Sequence, residues 1–235
     1  MTIQETPQAS IECALPAEVS AQQIEAARYA VLRRLAPALR HHMVRPLQPI
    51  GLIYGVMHHK LSAAQPDLRS VREEAGKINE FAKAALDECI DMGTWLAPEP
   101  GVVTAVESGV RECVGLMATT LHFCGFRLVN EVEDVPAQVL RDALRMVLSA
   151  ALFALTDAMD EPVTVTIHAQ ASPVDVTVTL LTDPIGDGQL DRYDDGYRQL
   201  EWVDVQALAL AEHVGLSRQG SQVTLCFAVE PARVD

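Results

Sequence analysis

Between positions 68 and 96 the side chains of Leu68, Val71, Ala75, Ile78, Ala82, Ala85, Cys89, Met92 and Leu96 recur at alternating steps of three and four. That spacing is a coiled-coil seam of about four heptads, so this stretch must fold as one long helix with an apolar stripe. A second series precedes it, formed by Leu32, Ala36, Leu39, Met43, Leu47, Ile50, Tyr54, Met57 and Leu61. Ser62 to Asp67, with Pro66, reads as a short turn between the two. The result is an antiparallel helical hairpin over residues 19–97, opened by Ser20 and Gln23 as a capping box. One hairpin covers both stripes poorly. Two hairpins from two chains would close a four-helix bundle, so a homodimer is expected; packing onto the chain's own C-terminal half is the alternative.

Within the first helix lies the run Leu39-Arg40-His41-His42-Met43-Val44-Arg45-Pro46-Leu47-Gln48-Pro49-Ile50-Gly51. At about 100° per residue, His41 falls almost opposite the apolar stripe and His42 beside it. Arg34, His41, Arg45 and Gln48 share one outward face. Phase therefore exposes His41 and leaves His42 to pack or orient; two ordinary boundary histidines are the plainer reading. Pro37, Pro46 and Pro49 each remove a backbone donor and predict local bends here.

The run resembles the phosphoacceptor segment of two-component histidine kinases. That family's helix carries a His, usually an acid next to it, a Pro five residues on, then Leu and, at nine residues, Ile. Pro46, Leu47 and Ile50 stand at those distances from His41, while His42 stands at the acid's position. The resemblance implies His41 as phosphoacceptor and Arg45 as a group able to neutralise phosphoryl oxygens.

Charge and composition bound the partners. The 235 residues carry a formal net charge of -14, which argues against nucleic acid, whose phosphates require a basic face. Yet residues 26 to 60 contain Arg28, Arg33, Arg34, Arg40, Arg45 and Lys60 and no acid. Such a strip suits an acidic partner such as a response-regulator receiver domain, though a solvated basic face balanced by the acidic second helix (Asp67, Glu73, Glu74, Glu80, Asp87, Glu88) fits equally. No apolar run reaches the length of a membrane span, and Met1 to Pro16 carries Glu5 and Glu12 where a signal peptide needs basic residues. A cytoplasmic chain is expected, with residues 1–18 disordered or loosely attached. Five scattered cysteines (Cys13, Cys89, Cys113, Cys124, Cys226) without CxxC spacing predict small buried hydrophobes rather than disulfides or zinc. His58-His59 repeats the earlier pair about 25 Å away along a helix, too far for a shared metal. The acidic run Asp191 to Gly196 lacks calcium-loop spacing.

After the linker Ala97 to Gly101 the pattern becomes mixed. We expect a helix from Val102 to about His122, a strand Phe126 to Val132, a long apolar helix Ala137 to Met159, and strands Val163 to Ala169 and Val174 to Leu181. A loop Thr182 to Glu201, a helix from about Val203 to Val214 and a strand Gln222 to Val229 close residues 102–235. Period-two alternation in Val163, Val165, Ile167 and in Val174, Val176, Val178 buries one sheet face under helices. The fold class is α+β, hairpin followed by sandwich, and the order resembles the Bergerat-type ATPase domain of histidine kinases.

The resemblance departs where nucleotide chemistry resides. The two Asn positions of the family's long helix fall on Ser149 and Phe153, neither able to replace a magnesium-binding amide. The Asp-x-Gly-x-Gly segment is represented by Asp183, Gly186 and Gly188, displaced by one residue. The glycine-rich turn before the last helix is Glu201-Trp202-Val203-Asp204-Val205-Gln206. These departures imply lost ATP binding, no cofactor, and magnesium supplied by the receiver. The expectation is a histidine phosphotransfer protein similar to the ChpT-type proteins, acting through His41 with His42 and Arg45 beside it. An ATP-using histidine kinase and a non-catalytic dimeric scaffold are the alternatives.

Overall fold

The computed structural model describes residues 19–186, 190 and 197–231. The expected loose N-terminus, Cys13, Gly188 and the acidic run Asp191 to Gly196 lie outside them. Helix α1 (Ala21–Val44) starts at the expected cap: Ser20 Oγ accepts from the Gln23 amide at 3.2 Å while Gln23 Oε1 accepts from the Ser20 amide at 2.8 Å. Pro37 is accommodated inside it. Pro46 is not, and the chain tightens into a 3-10 turn, Arg45–Leu47, before α2 (Gln48–Leu61). Helix α3 (Leu68–Leu96) returns antiparallel, its start capped by Asp67 Oδ1 accepting from the amides of Arg69 and Ser70.

The buried stripes differ in part from those read in the sequence. On α1 the buried side chains are Ala27, Ala30, Val31, Leu35 and Leu39, because this helix packs on three later helices, α4 (Val106–Phe123), α5 (Arg141–Asp157) and α6 (Trp202–Ala211), as well as on α3. Leu47, Tyr54 and Leu61 of the expected seam are exposed. On α3 the inward edge runs Val71, Glu74, Ile78, Phe81, Ala85, Glu88, Met92, Trp95. Ala75, Ala82, Cys89 and Leu96 face outward, joined by exposed Leu68, Leu86 and Ile90. Cys89 therefore corrects the expectation of buried cysteines, whereas Cys113 is buried, its thiol pushed up to about 12 chiefly by desolvation. Glu74 sits in the seam because Lys60 of α2 donates to it at 2.8 Å; that bond, with Lys77, holds its carboxyl below the usual range although desolvation opposes this.

The sandwich comprises β1 (Val103–Ala105), α4 (Val106–Phe123), β2 (Arg127–Asn130), β3 (Gln138–Leu140), α5 (Arg141–Asp157), β4 (Val163–Ala171), β5 (Asp175–Pro184), α6 (Trp202–Ala211), β6 (Gly215–Gln219) and β7 (Gln222–Ala228). Strands β2-β4-β5-β7-β6 form one mixed sheet, parallel only between β2 and β4; β1 and β3 pair separately. The expected helices starting at Val102 and Ala137 thus begin about four residues later, after short strands, and the edge strand β6 is new. Val163, Val165, Ile167, Val176, Val178, Leu180, Val223, Leu225 and Phe227 point into the core against α5, all of whose residues from Ala143 to Thr156 are buried. Threonines alternate on the other face at half exposure, as period two requires. The architecture is α+β.

The end of α3 is riveted to the sandwich. Trp95 Nε1 donates to Glu112 Oε1 at 2.7 Å, and Arg145 donates to both oxygens of Glu112 at 2.6 and 3.0 Å and to Thr94 Oγ1 at 2.7 Å. The same guanidinium lies 4.7 Å from the centre of the Trp95 ring. With Arg145 only 2% exposed, such a network fixes the angle between hairpin and sheet.

Candidate functional site

His41 and His42 occupy the last turn of α1, and Arg45 follows as the first residue of the 3-10 turn. His41 and Arg45 are exposed, and the Arg45 amide donates to the His41 carbonyl, tying the two backbones together. His42 is half-buried, its Nδ1 2.9 Å from Oε1 of Glu88 on α3. The two imidazoles meet edge to face with centroids 6.3 Å apart. Arg33 and Arg40 are exposed on the same helix. Arg34 departs from the expected outward strip: it donates to Asp157 at 2.7 and 3.1 Å. The exposed arginines of this segment are Arg33, Arg40 and Arg45.

Glu88 is a residue of this candidate site that motif matching passes over, since in the sequence it is one more charge of an acidic helix. Its place was recoverable from hairpin geometry. Reflecting position 42 through a turn centred between residues 62 and 67 lands close to position 88, on the opposite helix. Between His42 and helix α4 lies a cleft of about 320 Å³ whose walls include His42, Glu88, Asp91, Ser108, Arg111 and Glu112. Arg111 is paired with Glu107, and Glu112 is engaged by Arg145 and Trp95.

Ser149 and Phe153, the positions that the resemblance sets on a nucleotide motif, lie in the core. Ser149 is wholly buried beside the Cys113 thiol. Phe153 is 2% exposed and roofed by the Arg34 guanidinium, 4.7 Å from its ring centre. One turn on, Asp157 binds Arg34 and accepts from the Leu200 amide at 2.8 Å. Helix α1 thus lies directly over this part of α5. Asp183 is exposed at the end of β5, and Gly186 follows in a turn with φ +77°.

The start of α6 is closed by carboxylates. Glu201 and Asp204 form a reciprocal capping box, and Asp204 also accepts two bonds from Arg198 at 2.7 and 2.8 Å. Burial pushes the Asp204 carboxyl up, but the Arg198 guanidinium and the Glu201 amide outweigh it and hold it below its ordinary value. A helix N-terminus that binds phosphate offers open amides; here two acidic side chains occupy them.

No protein-family model matches the chain. No curated protein matches it either. Among solved structures it is similar to a histidine kinase, AdeS, of Acinetobacter baumannii, at 12% identity and a TM-score of 0.41 over 82% of this chain and 98% of that one. A bacterial phosphotransferase matches at 11% identity and a TM-score of 0.38, over 91% of this chain and 100% of its own. A histidine kinase from Burkholderia phymatum STM815 matches at 17% identity and 0.39, over 90% and 98%.

Proposed function

We propose that this chain is a histidine phosphotransfer protein of two-component signalling, similar to the ChpT-type proteins. It accepts a phosphoryl group from one receiver domain on His41 and passes it to another. The observation that carries the reading is the exposed His41, set beside a proline turn at the end of a helix and flanked by exposed Arg40 and Arg45. The exposed ring nitrogen attacks the phosphorus of a receiver's phosphoaspartate. The guanidinium of Arg45 neutralises phosphoryl oxygens, and the receiver supplies its own magnesium.

The chain's residues do not fit a bound nucleotide. Ser149 is sealed in the core, Phe153 is covered by Arg34, and the first turn of α6 carries Glu201 and Asp204 where phosphates need uncovered amides. The exposed apolar face of α3, with Leu68, Ala75, Ala82, Leu86 and Ile90, supports a homodimer closed as a four-helix bundle.

One assay tests the reading. The purified protein is incubated separately with magnesium-ATP and with receiver domains charged by acetyl phosphate. Acid-labile phosphate on the chain from receivers alone is expected. Labelling by ATP replaces the reading with a kinase, and no labelling by either replaces it with a scaffold.

A further inference from the structure

We propose that Glu88 and His42 form a proton-accepting dyad for His41, with Glu88 as the positioning residue. The inference rests on the phosphoryl-accepting role of His41. It accounts for the one position at which the phosphoacceptor run departs from its pattern, where His42 replaces an acid.

The geometry points to this division of labour. Glu88 Oε1 lies 2.9 Å from His42 Nδ1, and an ionised carboxylate can only accept, so Nδ1 carries the proton. In the neutral ring the other nitrogen then keeps its lone pair. His41 stands edge to face with His42 at a 6.3 Å centroid separation; in the proposed step a bridging water carries the proton between the rings. The cleft against α4 leaves the His42 ring open to solvent.

The charged groups around His42 single out Glu88. From α3 they are Glu88 and Asp91; from α4, Arg111 and Glu112; on its own segment, His41 and Arg45. Glu112 is held by Arg145 and Trp95, Asp91 lies 3.7 Å from Arg145, and Arg111 pairs with Glu107. Glu88 is the carboxylate bonded to the imidazole.

The step balances. A lone pair on the exposed nitrogen of neutral His41 attacks phosphorus, an N–P bond forms, and the P–O bond to the receiver's aspartate breaks with its electron pair leaving on that carboxylate. The His41 ring, now cationic, releases the proton on its other nitrogen through water to Nε2 of His42. The resulting His42 imidazolium is held against the Glu88 carboxylate, by the logic that places a carboxylate behind a catalytic histidine. Transfer to the next receiver returns the proton along the same path.

The test measures single-turnover phosphoryl transfer from acetyl-phosphate-charged receiver domains, with melting temperatures recorded in parallel. Glu88→Gln, nearly isosteric, is expected to slow transfer ten- to a hundredfold. His42→Gln should do the same, and the double variant should be no slower than either single, as for residues acting as a unit. His42→Asp in the Glu88→Gln background should recover rate to within a few-fold of wild type, because it puts a carboxylate next to His41 again; a purely structural Glu88 gives no such rescue. Nitrogen NMR of Glu88→Ala should show His42 leaving its Nδ1-protonated tautomer. Transfer unchanged within twofold in Glu88→Gln and Glu88→Ala overturns the dyad while leaving His41 in place. Failure of every receiver to label the wild type overturns the role of His41, and the dyad with it.

Discussion

Arg34 of α1 grips Asp157 at the end of α5 with two guanidinium bonds of 2.7 and 3.1 Å. The helix that carries the paired histidines is thereby fastened across the long core helix of the sandwich. Both side chains are mostly buried, at 14% and 11% exposure, and Asp157 also holds the Leu200 amide. Removing one partner leaves a charge with lost solvation and incomplete pairing. Arg34→Ala is expected to lower stability by about 2–4 kcal/mol, read as a fall in urea midpoint. A change within a few tenths of a kcal/mol would show the clamp to be energetically idle.

The ring beneath Arg34 gives a second measurement. Phe153→Ala deletes a buried aromatic and should cost roughly 3–5 kcal/mol. Magnesium-ATP should leave the melting temperature of the wild type unmoved. A ligand at a hundred times its dissociation constant adds about 2.7 kcal/mol to the folded state, so even weak binding would register. An upward shift would contradict the reading of α5 as closed.

Acid should loosen the start of α6. The Asp204 carboxyl is held below its ordinary value in the fold, so its contribution is present above the unfolded value, about 4. That contribution is lost as pH falls through the lower, folded value. Between pH 6 and pH 3 the urea midpoint should drop more in wild type than in Asp204→Asn, which is less stable at neutral pH but lacks this acid limb. Parallel pH profiles for the two proteins would rule out Asp204 as a source of it.

What the sequence conveyed, and what it withheld, follows the range of the interactions. The bounds of α3, Leu68 to Leu96, were legible because Asp67 caps it and three-four spacing runs its whole length. Half of its inward edge was not. Glu74, Phe81, Glu88 and Trp95 complete the stripe, and two of these are acids whose burial depends on Lys60 and His42 across the hairpin. Arg34 was assigned to the surface because its partner lies 123 residues away. Strand β6, Gly-Leu-Ser-Arg-Gln, has too few apolar residues to alternate, and it forms only by adding to the edge of β7 through the Gly220 turn. The exposed setting of His41 and the half-buried one of His42 agree with the sequence reading, although the stripe that α1 buries runs along Ala27, Ala30, Val31, Leu35 and Leu39 and not along the seam from which their phase was read.

The outward face of α3 predicts how the proposed dimer would be broken. Ile78 belongs to the inward edge, so a charge there should unfold the hairpin rather than separate subunits. Leu86 and Ile90 are 60% and 62% exposed, one turn apart on the open face. Ile90→Asp should therefore yield a folded monomer by light scattering at tens of micromolar, with circular dichroism unchanged, because a charge buried between subunits costs several kcal/mol. A wild type that is already monomeric would remove the four-helix bundle.

His41→Gln is expected to abolish acceptance of phosphoryl groups from charged receivers while leaving melting temperature and dimerisation within error of wild type. The side chain is exposed, so its loss should cost almost no packing. Arg45→Ala should act differently, since an exposed charge beside the proposed acceptor works largely through the rate of encounter with an acidic partner. Its transfer should fall several-fold at low salt and converge on wild type as salt shortens the screening length from about 30 Å at 0.01 M toward 3 Å at 1 M. If the phosphoryl group instead is found on His42 in the His41→Gln protein at the wild-type rate, His42 is the acceptor, and the carboxylate of Glu88 stands behind the nucleophile itself.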